Sequence, residues 1–302
     1  MNVSFLKYSK IYYIFSILLA LAAISCLIFF GLKFGIDFLG GSILEVNFEQ
    51  RPENPVIQEK LKDLNLGEIT IQPSGEKGII LRMKEINEET HQKIISKLNE
   101  ISEIKEKRFE SIGPVIGKEL RQKTIILIIV SLIALLFYIA IAFKKVSRPL
   151  SSWQYGIISI VALTFDVLIP IGIFALLGKF YNAQFNIPIV TALLTILGYT
   201  INDKVIVFDR VRENLLRLQP THRPLYDFKE VVNLSLNQTL IRSLSTGSCS
   251  LLVLFSLFFF GGETLKYFSL TLIVGIIIGT YSSLFLASPL LVSWLKRREK
   301  KD

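Results

Sequence analysis

LTILGYTINDKVIVFDRVREN, residues Leu194 to Asn214, reads as a hydrophobic helix interrupted by ionisable groups. Asn202, Asp203 and Lys204 stand consecutively inside the apolar run, and Asp209 with Arg210 marks its far end. Whether the run sees water or hydrocarbon decides what those charges mean. The wider composition answers this: 51% of the residues are hydrophobic, gathered in long blocks instead of being spread at helical or strand spacing. The chain reads as an integral membrane protein.

Six blocks are long enough to cross a hydrocarbon core of about 30 Å, which takes about 20 helical residues. They are Ile11 to Gly31, Thr124 to Phe143, Trp153 to Gly178, Ile187 to Phe208, Thr239 to Phe260, and Phe268 to Leu295. Barrel strands are shorter and alternate in polarity, so the spans are helices.

The net charge of +9 is not the footprint of a nucleic-acid binder, because the basic residues cluster at span ends. Lys7 and Lys10 precede the first span, and Lys144, Lys145 and Arg148 follow the second. Arg210, Arg212, Arg217, Arg223 and Lys229 follow the fourth, and Lys296, Arg297, Arg298, Lys300 and Lys301 follow the sixth. Simple alternation of six helices puts all four clusters on one side. By the positive-inside rule that side is the cytoplasm, with both termini inside and the loops after spans one, three and five outside.

Two outer loops are short: Lys179 to Asn186, and a tight turn at Gly261, Gly262 and Glu263. The third outer segment, 35–122, is a domain between a first part of 1–34 and the helical region 123–295, with a basic tail at 296–302. SILEVNF alternates like a strand, NPVIQEKLKDL reads as a helix opened by Asn54 and Pro55, and EITIQ and GIILRM are strands around a Pro-Ser-Gly turn. NEETHQKIISKLNEI is a second helix with apolar residues at Ile94, Ile95, Leu98 and Ile101, and KRFESIGPVIG returns as a strand. The order βαββαβ suggests a split βαβ, ferredoxin-like α+β domain.

Several chemistries are excluded or disfavoured. Cys26 and Cys249 lie in apolar spans, giving neither a disulfide framework nor metal-ligand spacing. His91 and His222 fall on opposite sides of the membrane, and each reads as a solvated surface histidine. No GxxxxGK loop is present, so any energy comes from elsewhere. AISC, ending at Cys26, faintly resembles a lipoprotein processing site, but Leu27 to Gly31 continue the apolar run and argue against cleavage.

The membrane charges are therefore the centre of interest: Asp166 in the third span, Asp203 and Lys204 in the fourth, Arg242 in the fifth. Each costs about 2.5 to 3.5 kcal/mol at a helix centre, which makes such residues functional candidates. Asp203 lies roughly 8 Å before the cytoplasmic end of its span and Arg242 a similar distance into the next, so the two share a level, with Asp166 nearer the midplane. Lys204 is long enough to snorkel and is expected, with Asp209 and Arg210, to mark the boundary. Arg242 has an alternative reading as an anchor, and Asp203 and Asp166 as helix–helix hydrogen bonders.

Polar faces accompany the charges. Thr191, Thr195, Gly198 and Asn202 fall at helical spacing on the fourth span; Arg242, Thr246 and Cys249 or Ser250 form a stripe on the fifth, flanked by Ser243 and Gly247. These faces are expected to pack inside the bundle. Gly275 and Gly279 give the sixth span a GxxxG, which marks close approach and nothing chemical. DFKE at Asp227 to Glu230 has the spacing of a helix start that continues through Asn237 into the fifth span.

GYTINDKVIVFDRVREN, GIDFLGG at Gly35 to Gly41, LNQTLIRSLSTG at Leu236 to Gly247 and FGGETLKYFSLTLIVGIIIGTYSSLFLASPL from Phe260 resemble the SecF family, and the resemblance covers nearly the whole chain. Those proteins are the smaller membrane subunits of the bacterial SecD–SecF export complex, related to resistance-nodulation-division transporters. The resemblance implies a six-helix half-bundle in the inner membrane, completed by SecD, that uses the proton gradient and no cofactor to draw unfolded preproteins from the SecYEG translocon, with YajC and YidC as further partners. It implies proton coupling at Asp203 and Arg242; Asp166 is a further candidate from its charge, and Asn202, Thr195, Gly198 and Thr246 are the supporting polar face read from spacing. The family pattern places a histidine before the third-span aspartate; here Phe165 precedes Asp166, so no imidazole is expected at that level.

Two rival classes are weighed against this. An intramembrane aspartyl protease needs a close carboxylate dyad and a GxGD sequence, which is absent. A self-sufficient proton-coupled small-molecule transporter would need both halves supplied by a homo-oligomer.

Overall fold

The computed structural model describes residues 3–143, 150–218 and 227–299. Lys144, Lys145, Arg148, Pro220, His222, Arg223, Pro224, Lys300 and Lys301, named above, lie outside the described residues. Residues 34–126 with 184–187 form one compact unit; 1–33, 127–183 and 188–302 form another.

In chain order the elements are α1 (Ser9–Phe30), a short α2 (Ile36–Leu39), β1 (Gly41–Phe48), α3 (Asn54–Leu61), β2 (Thr70–Ser74), β3 (Gly78–Met83), α4 (Glu88–Asn99) and β4 (Ile104–Ile112). Then follow α5 (Pro114–Ala142), α6 (Ser152–Tyr181), α7 (Ile187–Leu218), α8 (Phe228–Phe260), α9 (Glu263–Ser282) and α10 (Ser288–Glu299). Six helical stretches are long and apolar enough to cross a membrane, the sixth being Leu265–Arg297, which runs from α9 into α10.

The first unit holds the expected βαββαβ order, as an antiparallel sheet in the order β2-β3-β1-β4. Alternation along β1 buries Leu44, Val46 and Phe48, while Ile57 and Leu61 of α3 and Ile94 and Leu98 of α4 close over the same core. Burying each such side chain contributes about 1.5–3 kcal/mol. The Asn87 side chain caps α4 by accepting from the Thr90 N–H at 3.0 Å.

Three expectations for this unit need correction. The turn after β2 is Gly75 to Lys77, and Pro73 lies within β2, which is tolerated because β2 is an edge strand. The last strand stops at Ile112 instead of running on through PVIG. Pro114 cannot donate to a ladder and suits the first turn of a helix, so α5 starts there. Finally, His91 is not a solvated surface residue: it is buried, its ring stacked on Phe109 at 3.8 Å between centroids. Its ring nitrogens lie 3.1 Å from Glu88 and 3.3 Å from Glu106.

The GIDFLGG stretch ties the ends of this unit together. Phe34 bridges Phe185, and the Gly35 N–H donates to the Phe185 carbonyl at 2.8 Å. The Asp37 carboxylate accepts from the Ile187 N–H at 2.7 Å, satisfying one of the donors left over at the start of α7. Gly40 (φ 81°) and Gly41 (φ 132°) hold conformations that side chains avoid. A Cβ on the first would stand 2.7 Å from Pro114 Cα, and on the second 2.8 Å from the Met83 carbonyl oxygen.

In the helical unit, α6 supplies much of the buried face, from Tyr155 through Ala175. Asp227 caps α8 as the DFKE spacing predicts, accepting from the Lys229 N–H at 3.0 Å, and the helix runs unbroken to Phe260. Polar residues join α7 to α8 beyond the apolar run: Arg210 donates to Gln238 at 2.6 Å, and Asn214 donates to Ser235 and Gln238 at 2.9 Å. The sixth span departs from one regular helix, because a π-helical turn at Ser283–Ala287 separates α9 from α10.

Candidate functional site

The charges of the third and fourth spans meet inside the helical unit. Lys204 of α7 donates from Nζ to Asp166 Oδ2 of α6 at 2.6 Å, and both side chains are 0% exposed. Its other near neighbours are the Thr200 carbonyl one turn back, at 3.4 Å, and Ser283 Oγ at the π-helical turn, at 3.5 Å. The ammonium thus spends its three donors on three helices. The expectation that Lys204 snorkels to the interface is overturned. Its place one turn after Thr200 aims it into the bundle, where an unpaired buried carboxylate would otherwise stand. Removing one partner of such a buried pair costs about 3–5 kcal/mol, because the other charge is left uncompensated. Asp209 is exposed and Arg210 half-buried.

The approach of α9 makes the pocket possible. The GxxxG glycines face α7, so that a Cβ on Gly275 would come within 2.1 Å of Ile196 Cδ1 and one on Gly279 within 2.0 Å of Thr200 Cγ2. Asp166 Oδ2 lies 3.8 Å from that Gly279 position. The motif read as chemically silent therefore forms one wall of the charged site.

Asp203 sits beside this pair with a different environment. It is 2% exposed, and its Oδ2 is buried without a hydrogen-bond partner, as is Oδ1 of Asp166. The charges that act on Asp203 are those of Lys204, Arg242 and Asp166. Arg242 is exposed on α8, and no hydrogen bond or ion pair joins it to Asp203 among the described residues.

The supporting residues are arranged otherwise than expected. Thr191, Thr195, Gly198 and Asn202 on α7, and Arg242, Thr246 and Cys249 on α8, are exposed on the isolated chain, whereas Ser243 and Gly247 face inward. Thr195 and Thr246 return their hydroxyls to their own helices, on the Thr191 and Arg242 carbonyls. Ser250 reaches Tyr199 across the two helices at 3.4 Å. The stripe does not pack inside this chain's bundle; it forms an open polar face at membrane depth beside a buried carboxyl.

The sequence carried only an indirect hint for Lys204, and reach alone left its direction open. Pairing Asp203 with Arg242 leaves Asp166 without a cation, and Lys204 is the membrane cation left over. Among the described residues no group of three or more His, Cys, Asp or Glu side chains is placed to hold a metal.

Residues 92–297 match the family model described as protein export membrane protein SecD/SecF, C-terminal, and residues 27–50 match that of the SecD/SecF GG motif, which contains Gly40 and Gly41. The protein translocase subunit SecF of Thermobaculum terrenum is 38% identical over 99% of this chain and 95% of the relative, and that of Rickettsia rickettsii 32% identical over 98% and 93%. Among solved structures, SecDF of Thermus thermophilus, a translocon-associated membrane protein, superposes with a TM-score of 0.84 at 32% identity. That match covers 98% of this chain but only 39% of the SecDF chain. From these matches and the six spans, the chain belongs to the SecD/SecF family of protein-export membrane proteins.

Proposed function

We propose that this chain is one membrane half of a protein-export machine, with Asp203 taking up and releasing the proton that drives it. The observation that carries the reading is the buried Asp203 carboxyl, its Oδ2 without a hydrogen-bond partner, beside a polar stripe left open on α7 and α8. A SecD-type subunit supplies the facing half, and Arg242, on that open face, biases the charge state of Asp203 from the interface. One charge crossing 100 mV releases about 2.3 kcal/mol, enough to bias a two-state arrangement of helices. Asp166 belongs to the same site through Lys204, and Asn202, Thr195, Gly198 and Thr246 line the shared face. The work needs no cofactor, and the chain acts as an accessory of transport and not as an enzyme.

In this reading the protein sits in the bacterial inner membrane with both termini in the cytoplasm, and the α+β unit lies outside. It assists an unfolded preprotein emerging from a SecYEG-type channel, with YajC and YidC as further partners. The test is Asp203→Asn, which keeps size and hydrogen bonding and removes the titration. The variant assembles with its partner and supports nucleotide-driven translocation, but loses the stimulation that depends on the proton gradient. Full gradient-dependent export by assembled Asp203→Asn complexes would show the residue to be packing alone.

A further inference from the structure

The Lys204–Asp166 pair is the most deeply buried ion pair among the described residues. Its surroundings are irregular at both ends. Pro170 lies inside α6 and has no N–H to offer the carbonyl four residues back, which is that of Asp166 itself. Ser283, the third neighbour of the ammonium, opens the π-helical turn, a feature that recurs at functional sites in helices. Lys204 therefore joins the fourth span to the third one turn before Pro170, and to the sixth at its π-helical turn.

The groups around Asp203 are few. α6 contributes Asp166, α7 contributes Lys204 and Tyr199, and α8 contributes Arg242; the Ser283 hydroxyl neighbours Lys204. Lys204 follows Asp203 directly in α7 and is ion-paired with Asp166 of α6. Asp166 Oδ1 and Asp203 Oδ2 are both buried without hydrogen-bond partners, so two carboxylates compete for one ammonium.

We propose that Lys204 is a positioning residue of the coupling site, an ammonium shared between Asp166 and Asp203, so that the charge on Asp203 sets how firmly the third and sixth spans are held to the fourth. With Asp203 neutral, the ammonium belongs to Asp166, as in this structure. With Asp203 ionised, its carboxylate draws the ammonium and loosens the tie at the proline-broken stretch of α6 and the π-helical turn. A proton bound at one side chain is thereby turned into a change of helix packing. The inference rests on the reading of Asp203 as the group that titrates.

The test uses the full chain in complex with its SecD-type partner, in inverted membrane vesicles, with three variants measured side by side. Asp166→Asn keeps the cation, its size-matched neighbour and a hydrogen bond, and removes only the competing charge. It leaves Asp203 as the one carboxylate beside the ammonium, at a cost in stability, and in the complexes that assemble the pH profile of gradient-driven export is expected to move by about one unit, a tenfold change in proton affinity. Asp166→Asn with Lys204→Met leaves no uncompensated buried charge. Once assembled, it is expected to export at a rate about tenfold or more below native under a gradient. A native pH profile in Asp166→Asn, or native gradient-driven export in the double variant, would reduce the pair to a structural tie and overturn the proposal. Asp203→Asn separates this outcome from failure of the underlying reading. If it abolishes the gradient response while Asp166→Asn keeps the native profile, only the role of Lys204 falls; if it retains the response, the assignment of Asp203 falls as well.

Discussion

Neighbouring residues on an α-helix point about 100° apart, and this rotation separates Asp203 from Lys204. Lys204 turns toward α6 and the π-helical turn and finds Asp166, while Asp203 keeps a buried oxygen without a partner. Arg242 stands on the exposed side of α8, so its effect on Asp203 is exerted through the field and not through a contact. Arg242→Met keeps length and apolar character and removes the charge. We expect it to reduce gradient-driven export about tenfold or more, roughly 1.4 kcal/mol or more in activation free energy. The Asp203→Asn and Arg242→Met double variant is expected to be little worse than either single one, because two members of one unit are not additive. Fully multiplying losses would separate the two residues. Asp203, Asp166 and Arg242 were legible in the sequence because charge in a hydrophobic run is costly. The role of Lys204 was not, because reach alone does not say in which direction a long side chain is turned.

At the level of elements, the close approach of α9 to α7 is what admits a buried ion pair. Gly279→Ala would place a methyl group 2.0 Å from Thr200 Cγ2, one turn from Lys204. Overpacking of this kind costs about 1–3 kcal/mol. The variant is expected to lower the thermal stability of the purified chain, and Thr200→Ser, which removes the obstructing methyl, is expected to restore part of it. Unchanged stability of Gly279→Ala would mean that the two helices are less closely held than described. The six spans were legible as apolar blocks, and the extended starts of α5 and α8 follow from Pro114 and the Asp227 cap. The π-helical turn was not, because SLFLA is as apolar as a regular helix; the Ser288 hydroxyl donates to the Ser283 carbonyl at 2.9 Å across it. His91 was misread for a similar reason: its polar neighbours in sequence gave no hint that Phe109 of β4 lies flat against its ring.

For the whole molecule, the open stripe on α7 and α8 makes the chain a half awaiting its complement, in keeping with its 39% share of the solved SecDF chain. The sequence placed Thr195, Gly198, Asn202 and Thr246 on common faces, but periodicity cannot say whether a face meets its own chain or another. The account stands on one event, the reversible protonation of Asp203 in the assembled complex. Infrared difference spectroscopy of the reconstituted complex, with the outer compartment acidified and then returned to neutral, observes that event directly. The prediction is a protonated-carboxyl band that comes and goes with the imposed gradient and is missing from Asp203→Asn. The same band, undiminished, in the Asp203→Asn complex would contradict it.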